Sequence, residues 1–206
     1  MELTRDALLD LFRRSGALLE GHFRLTSGLH SPGYLQCALV LQHPAHAEAL
    51  GRALADKTRA LRATIVLSPA LGGIIIGHEV ARALEVRAIF AERQDGALLL
   101  RRGFTVSETD RVLVIEDVLT TGGSTRETMQ VAIAAGARVV GAAAIVDRSG
   151  RSEQDRSASP VTAAVQFDVP FSSLLTFALP AYEPDQCPLC AQGLPVVKPG
   201  SRQVLA

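Results

Sequence analysis

The chain has 206 residues, enough for one domain with a sizeable core, and 48% of them are apolar. Its 21 basic and 21 acidic residues cancel to zero formal charge, which offers nothing to a nucleic acid. No apolar run reaches membrane-spanning length, residues 1–6 do not read as a signal peptide, and three cysteines, an odd number, argue against a disulfide framework and for a reducing cytoplasm.

In chain order, Leu3, Ala7, Leu8, Leu11 and Phe12 recur at helical spacing, and Gly16 ends that helix. Residues 23–34 are turn-rich and read as a short hairpin or hood. A helix follows Pro44 to about Leu61. Then come a strand at 65–67, a small-residue loop at 68–73, a helix at 74–84 and a strand-like stretch at 87–91. Residues 92–110 hold polar turns around a short apolar patch at 97–100. The apolar run 112–115 reads as a buried parallel strand that ends in two adjacent acids, Glu116 and Asp117. A loop of Thr120, Thr121, Gly122, Gly123 and Ser124 follows, then a helix to about Ala135 and a strand at 139–146. Residues 148–160 read as a polar surface loop, and 180–206 as a Pro-rich irregular cover for the sheet or an edge. Strands alternating with helices imply right-handed βαβ units: an α/β fold with a mostly parallel central sheet flanked by helices.

In such a sheet, ligands sit at the C-terminal ends of the strands. Three segments lie there: 68–73, 116–124 and 147–150. Loop amides and a helix N-terminus attract phosphate, while carboxylates accept hydrogen bonds from sugar hydroxyls or face a metal. Gly72 and Gly73 read equally as a diphosphate-approaching loop or as close helix–strand packing. The only lysines are Lys57 and Lys198, so cationic work between them falls to arginine. Arginine forks onto phosphate but does not shuttle protons near neutral pH.

The run 112–124 resembles the signature of the type I phosphoribosyltransferases. The wider resemblance is to the orotate phosphoribosyltransferases. Residues 25–34 look like that family's N-terminal hood motif, 68–73 like its pyrophosphate loop, and Asp147-Arg148 like the pair whose arginine holds the orotate carboxylate. The resemblance reaches to Pro180, and the tail from Cys187 to Arg202 resembles that of one bacterial branch. Gly72 and Thr26 stand where some relatives carry lysine. The flexible loop, 90–103 here, has neither lysine nor histidine; Arg93 is its best cation match, and Arg101 and Arg102 read as a solvated hairpin end.

The resemblance implies a type I phosphoribosyltransferase fold over a single domain, 1–206, with a small hood (mainly 1–40 plus the C-terminal segment) and a core of about 44–180. It implies phosphoribosyl transfer from 5-phospho-α-D-ribose 1-diphosphate to orotate, in pyrimidine biosynthesis. Arg93 and Asp117 take catalytic roles. The donor is held by Arg93, Glu116, Asp117, Val118, Leu119, Thr120, Thr121, Gly122, Gly123 and Ser124, with Ala70, Leu71 and Gly72. Orotate is held by Thr120, Arg148 and Tyr34. Mg²⁺ enters through substrate oxygens and water rather than on direct protein ligands. The molecule is a cytoplasmic homodimer with shared active sites, binding neither nucleic acid nor membrane. The alternatives are a transferase for another base, or a non-catalytic regulator that senses the same donor.

Cys187-x-x-Cys190 supplies half a structural zinc site. A turn with two thiols is the expectation, with a Cys₄ set completed across a dimer as the alternative. Cys37 reads as a small buried apolar residue, and His22, His30, His43, His46 and His78 share no metal spacing.

Overall fold

The computed structural model describes residues 3–25, 27–149, 167–176 and 179–199, so Thr26, residues 150–160 of the expected surface loop and the end of the tail lie outside it. The strands β1 (Leu18–Arg24) and β2 (His30–Leu35) pair as an antiparallel hairpin. A six-stranded sheet follows: β3 (Ile65–Pro69), β4 (Arg87–Gln94), β5 (Ala97–Leu100), β6 (Arg111–Leu119), β7 (Arg138–Asp147) and β8 (Phe171–Thr176). Its order is β5-β4-β3-β6-β7-β8, parallel throughout except for the antiparallel β4–β5 pair. The helices are α1 (Arg5–Arg14), α2 (Ala38–Leu41), α3 (Pro44–Thr58), α4 (Gly72–Leu84), α5 (Gly123–Ala134) and α6 (Pro188–Ala191).

The central strand shows why its sequence is apolar without a break. Val112, Leu113, Val114 and Ile115 are all fully buried, and alternate residues serve opposite faces. Leu113 and Ile115 join Leu50, Leu54, Ile76 and Val80 of α3 and α4 in one core layer. Val112 and Val114 join Met129 and Ala132 of α5 in the other. Helices on both faces leave the strand ends open to a ligand. The α3–α4 contact is close because Gly51 has no side chain: a Cβ there would meet the Glu79 backbone carbon at 2.8 Å. Thr4 caps α1, its hydroxyl accepting from the Ala7 amide at 3.3 Å.

Several boundaries differ from the sequence reading. Strand β6 runs four residues past Ile115 to Leu119, because Val118 and Leu119 stay paired with Val146 and Asp147 of β7. The acid pair therefore lies inside the last rungs of the ladder and is held by it. The patch at 97–100 is β5, folded back on β4 through Asp95 (φ 51°) and Gly96 (φ 89°), the positive-φ pair of a two-residue hairpin turn. Strand β8, unanticipated, adds an edge to β7.

The C-terminal segment covers an edge, as expected, but that edge belongs to the hairpin. His30 and Tyr182 exchange both backbone hydrogen bonds at 2.8 Å on the β2 side. On the β1 side, Val197 donates to the His22 carbonyl and accepts from the Arg24 amide, each at 2.8 Å. An isolated two-stranded hairpin is marginal in water, and these rungs widen it. The same closure brings His22 and His30 against Cys187 and Cys190. This corrects both the view of the cysteines as a bare two-thiol turn and the view that no histidines share a metal arrangement. Cys37 is buried, as expected, and His43 and His46 stand at the start of α3. Among the described residues, no helix is long and apolar enough to cross a membrane.

Candidate active site

At the end of β6 the two acids differ in setting. Glu116 is buried, and Asp117 is half-buried. Burial, reinforced by the charge and hydrogen bond of Asp117, pushes the Glu116 carboxyl up to about 9. Near neutral pH Glu116 is therefore a neutral acid, able to donate as well as accept. The Asp117 carboxylate accepts from the Val118 amide at 2.8 Å. Beneath the pair lies Cys37, whose thiol is pushed up by burial and by the two carboxyls. Nothing in the sequence signals that proximity.

Past Leu119 the chain turns through exposed Thr120 and Thr121 to Gly122, which adopts φ 74° and starts α5 without a side-chain cap. Uncapped first-turn amides make an anion site. Glu116, Val118, Leu119, Thr120, Thr121, Gly122, Gly123 and Ser124 surround a polar cleft of about 40 Å³, which Thr125 completes. Thr125 was not singled out from sequence. Arg126 donates to the Thr121 carbonyl at 3.0 Å and steadies the turn.

The second anion loop faces the same acids. Ala70 continues the β3 ladder, its amide donating to the Ala91 carbonyl at 2.8 Å; the Ala70–Leu71 peptide is cis, and Leu71 is exposed. Helix α4 opens at Gly72, again without a side-chain cap. A Cβ on Gly72 would lie 2.6 Å from the Asp117 carboxylate, so the absence of a side chain leaves room for that carboxylate. Gly73, by contrast, packs against Ser68 and the Ile115 carbonyl. The packing reading holds for Gly73, while at Gly72 the missing side chain makes room for Asp117.

Arg148 follows β7, its amide donating to the Leu119 carbonyl at 2.8 Å, which sets it beside Thr120. Its side chain is half-buried, and its Nε is buried with no hydrogen-bond partner. Asp147 does not pair with it: that carboxylate accepts from the Ser149 amide at 2.8 Å and hydroxyl at 2.6 Å. Among the described residues Arg148 makes no ion pair, and burial holds the guanidinium below its ordinary pKa. Tyr34 of β2 is near enough to act on it electrostatically and is itself packed 6.1 Å from the Phe23 ring. An unpartnered buried guanidinium costs free energy unless a ligand anion arrives.

Arg93 is not brought to this cleft. From β4 it donates to Glu127 of α5 at 2.8 Å and to the Gly96 carbonyl. Arg102 pairs with Glu92 at 2.7 Å and lies over the Phe90 ring, in keeping with a solvated hairpin end.

The arrangement is a buried acid and a half-buried acid side by side between two uncapped helix N-termini, with a guanidinium alongside that makes no ion pair among the described residues. It can hold a phosphorylated sugar and a small planar carboxylate together. Residues 38–172 match the family model described as the phosphoribosyl transferase domain. An orotate phosphoribosyltransferase of Pelotomaculum thermopropionicum is 50% identical over 202 residues, which cover 98% of this chain and 100% of that protein. One from Carboxydothermus hydrogenoformans is 52% identical over 198 residues, covering 95% and 97%. Among solved structures, the Mycobacterium tuberculosis orotate phosphoribosyltransferase in complex with inorganic phosphate aligns with a TM-score of 0.65 at 24% identity, over 84% of this chain and 95% of that one. At that identity the likeness speaks to the fold.

Proposed function

Since this chain belongs to the orotate phosphoribosyltransferase family, we propose that it transfers the phosphoribosyl group of 5-phospho-α-D-ribose 1-diphosphate to orotate, releasing orotidine 5′-monophosphate and diphosphate. Its fold is that of the type I phosphoribosyltransferases, and it is a transferase of pyrimidine biosynthesis. The observation that carries the choice of base is Arg148: a half-buried guanidinium with a buried, orphaned Nε, beside Thr120 and facing Tyr34, suits a planar carboxylate. A neutral base gives that charge nothing to do.

In the reaction, orotate N1 gives up its proton and attacks the anomeric carbon as the bond to diphosphate breaks, the proton leaving to solvent or to the departing diphosphate. Positive charge grows on the ribose and negative charge on the leaving group, so positioning and electrostatics dominate. The amides of Thr121 to Ser124 hold the 5′-phosphate at the start of α5. Glu116, neutral, and Asp117 hold the ribose 2′- and 3′-hydroxyls. The backbone of Ala70, Leu71 and Gly72 faces the diphosphate, and Arg148 and Tyr34 orient orotate. With Glu116 neutral, the chain presents little fixed negative charge of its own. That fits Mg²⁺ held mainly by substrate oxygens and water beside Asp117. When bound, the ion offsets charge on the departing diphosphate.

The reading includes a hood made of the β1–β2 hairpin and C-terminal segment over a single domain, a cytoplasmic location and a homodimer. Two observations support the dimer. Arg93 is directed away from its own cleft, and an apolar groove of about 790 Å³ lies open between β5 and α5, lined by Leu98, Leu100 and Val131. A panel of bases assayed with the phosphoribosyl donor and Mg²⁺ tests the proposal. Orotate alone should be consumed; turnover of a purine or uracil, or of no base, would replace it.

A further inference from the structure

Four metal-binding side chains converge away from the cleft. His22 stands on β1, His30 on β2, Cys187 caps the start of α6 and Cys190 lies within it; their ligand atoms all lie within 4.8 Å of one another. His22 Nε2 is 2.9 Å from His30 Nδ1, 3.6 Å from the Cys187 sulfur and 3.7 Å from the Cys190 sulfur, and Cys190 lies 3.2 Å from His30 Nδ1. A tetrahedral zinc ion, with bonds of about 2.3 Å to sulfur and about 2.0–2.1 Å to nitrogen, spaces its ligand atoms by roughly 3.3–3.8 Å. The four short spacings are therefore already close to the coordination shell, contracted between the imidazoles and between Cys190 and His30, and the remaining pairs lie within 4.8 Å.

The tautomers point the same way. His22 Nδ1 lies 2.8 Å from the Leu194 carbonyl and must carry the proton to donate there. Its Nε2 then presents a lone pair to the cluster, oriented by an outer hydrogen bond as in many zinc–histidine sites. His22, His30 and Cys187 are buried, while Cys190 is exposed and leaves an entry path. Two sulfurs and two imidazole nitrogens form a set that suits zinc far better than a hard oxygen-seeking ion.

We infer that these residues form a Cys₂His₂ structural zinc site, complete within one chain, that staples the C-terminal segment to the β1–β2 hairpin. The ion closes the same junction that Tyr182 and Val197 bridge through backbone hydrogen bonds. Because Tyr34 sits on that hairpin, the staple holds the base-side wall of the cleft in place.

The full-length protein, reduced and freed of metal by a chelator, is titrated with Co²⁺ alone and then with Zn²⁺. One cobalt per chain should give visible ligand-field bands of tetrahedral intensity with near-ultraviolet thiolate charge transfer. Zinc should displace it, and excess Mg²⁺ should leave the spectrum unchanged. Cys190→Ser alters an exposed side chain and should still fold by circular dichroism, yet weaken cobalt binding by more than the roughly 100-fold typical of losing an outer hydrogen bond. His30→Gln, checked the same way, should do likewise. Zinc should raise the melting temperature of the wild type and not of either variant. A folded, reduced wild type with no tetrahedral cobalt spectrum overturns the site. So does a Cys190→Ser titration indistinguishable from wild type, or a Cys187–Cys190 disulfide in the protein as isolated.

Discussion

Arg148 makes opposite demands on stability and on binding, and replacing it with methionine separates them. Methionine keeps an unbranched stem of similar reach but has no charge. In the ligand-free chain the guanidinium is half-buried, its Nε is orphaned, and Asp147 is occupied by Ser149. A buried polar group without a partner costs about 1–3 kcal/mol. Removing it should therefore stabilise the empty protein by roughly 1 kcal/mol, or about 2–4 °C in melting temperature for a chain of this size. With orotate the balance reverses, because the carboxylate is then the group without a partner. That loss is roughly 2–5 kcal/mol, or about 30-fold to a few thousand-fold in the Michaelis constant for orotate at 1.4 kcal/mol per tenfold. The constant for the phosphoribosyl donor should stay within about threefold, since Arg148 stands at the end of β7 beside Leu119 rather than on the turn that opens α5. Arg148→Lys should restore little, because a point charge does not reproduce the fork. Thermal melts with and without orotate, together with kinetics varying each substrate, give every quantity. If the ligand-free Met variant melts below wild type, Arg148 supports the hairpin by contact rather than waiting for a ligand. If both Michaelis constants rise together, its pairing with orotate is wrong.

Three further outcomes follow from the acid pair and the loops. The raised carboxyl of Glu116 means that the native state keeps a proton the unfolded chain gives up near 4.5, so its contribution is full below that pH and fades as pH rises toward about 9. Glu116→Gln should accordingly flatten the decline of stability with pH in urea unfolding and leave the donor Michaelis constant nearly unchanged, whereas Asp117→Asn should raise that constant roughly 10- to 100-fold; parallel pH slopes for wild type and Gln variant would reject the neutral Glu116. Gly72→Ala puts a Cβ 2.6 Å from the Asp117 carboxylate, and Gly77→Ala puts one 2.0 Å from the Ser68 hydroxyl. The first should weaken donor binding with little change in melting temperature and the second should lower the melting temperature, a contrast read by calorimetry beside kinetics. Arg93→Ala should cut turnover strongly while shifting melting by less than about 2 °C, since its pair with Glu127 is exposed; mixed dimers with Asp117→Asn should recover part of the activity, and no recovery would confine Arg93 to its own subunit or to no role.

The features legible in the sequence are those in which neighbouring residues report the same environment. The unbroken run Val112 to Ile115 announced a strand covered on both faces, and the small residues after the acids line a polar cleft at its end. Asp95-Gly96 was a readable turn signal, masked by the polar residues around a patch of four. Phe171-Ser-Ser-Leu-Leu-Thr carries no strict alternation, and β8 exists because β7 offers it an edge. The chemistry that escaped notice depends on distance across the chain. His30 meets Cys190 from 160 residues away, and Arg93 meets Glu127 from 34. The neutral state of Glu116 comes from enclosure, which spacing does not encode.

The rungs from Tyr182 and Val197 also set an order of assembly. The sheet from β3 to β7 can form as soon as its own segments exist, but the borders of the hairpin at residues 18–35 are finished by Tyr182 and Val197, far later in the chain. Contacts of such long sequence separation form slowly and late. During synthesis the β6–α5 part of the cleft therefore matures first, and the hairpin stays unframed, its strand edges open to wrong partners, until the last segment returns. A chain cut before Tyr182 would keep the core strands and lose both rungs that border the hairpin.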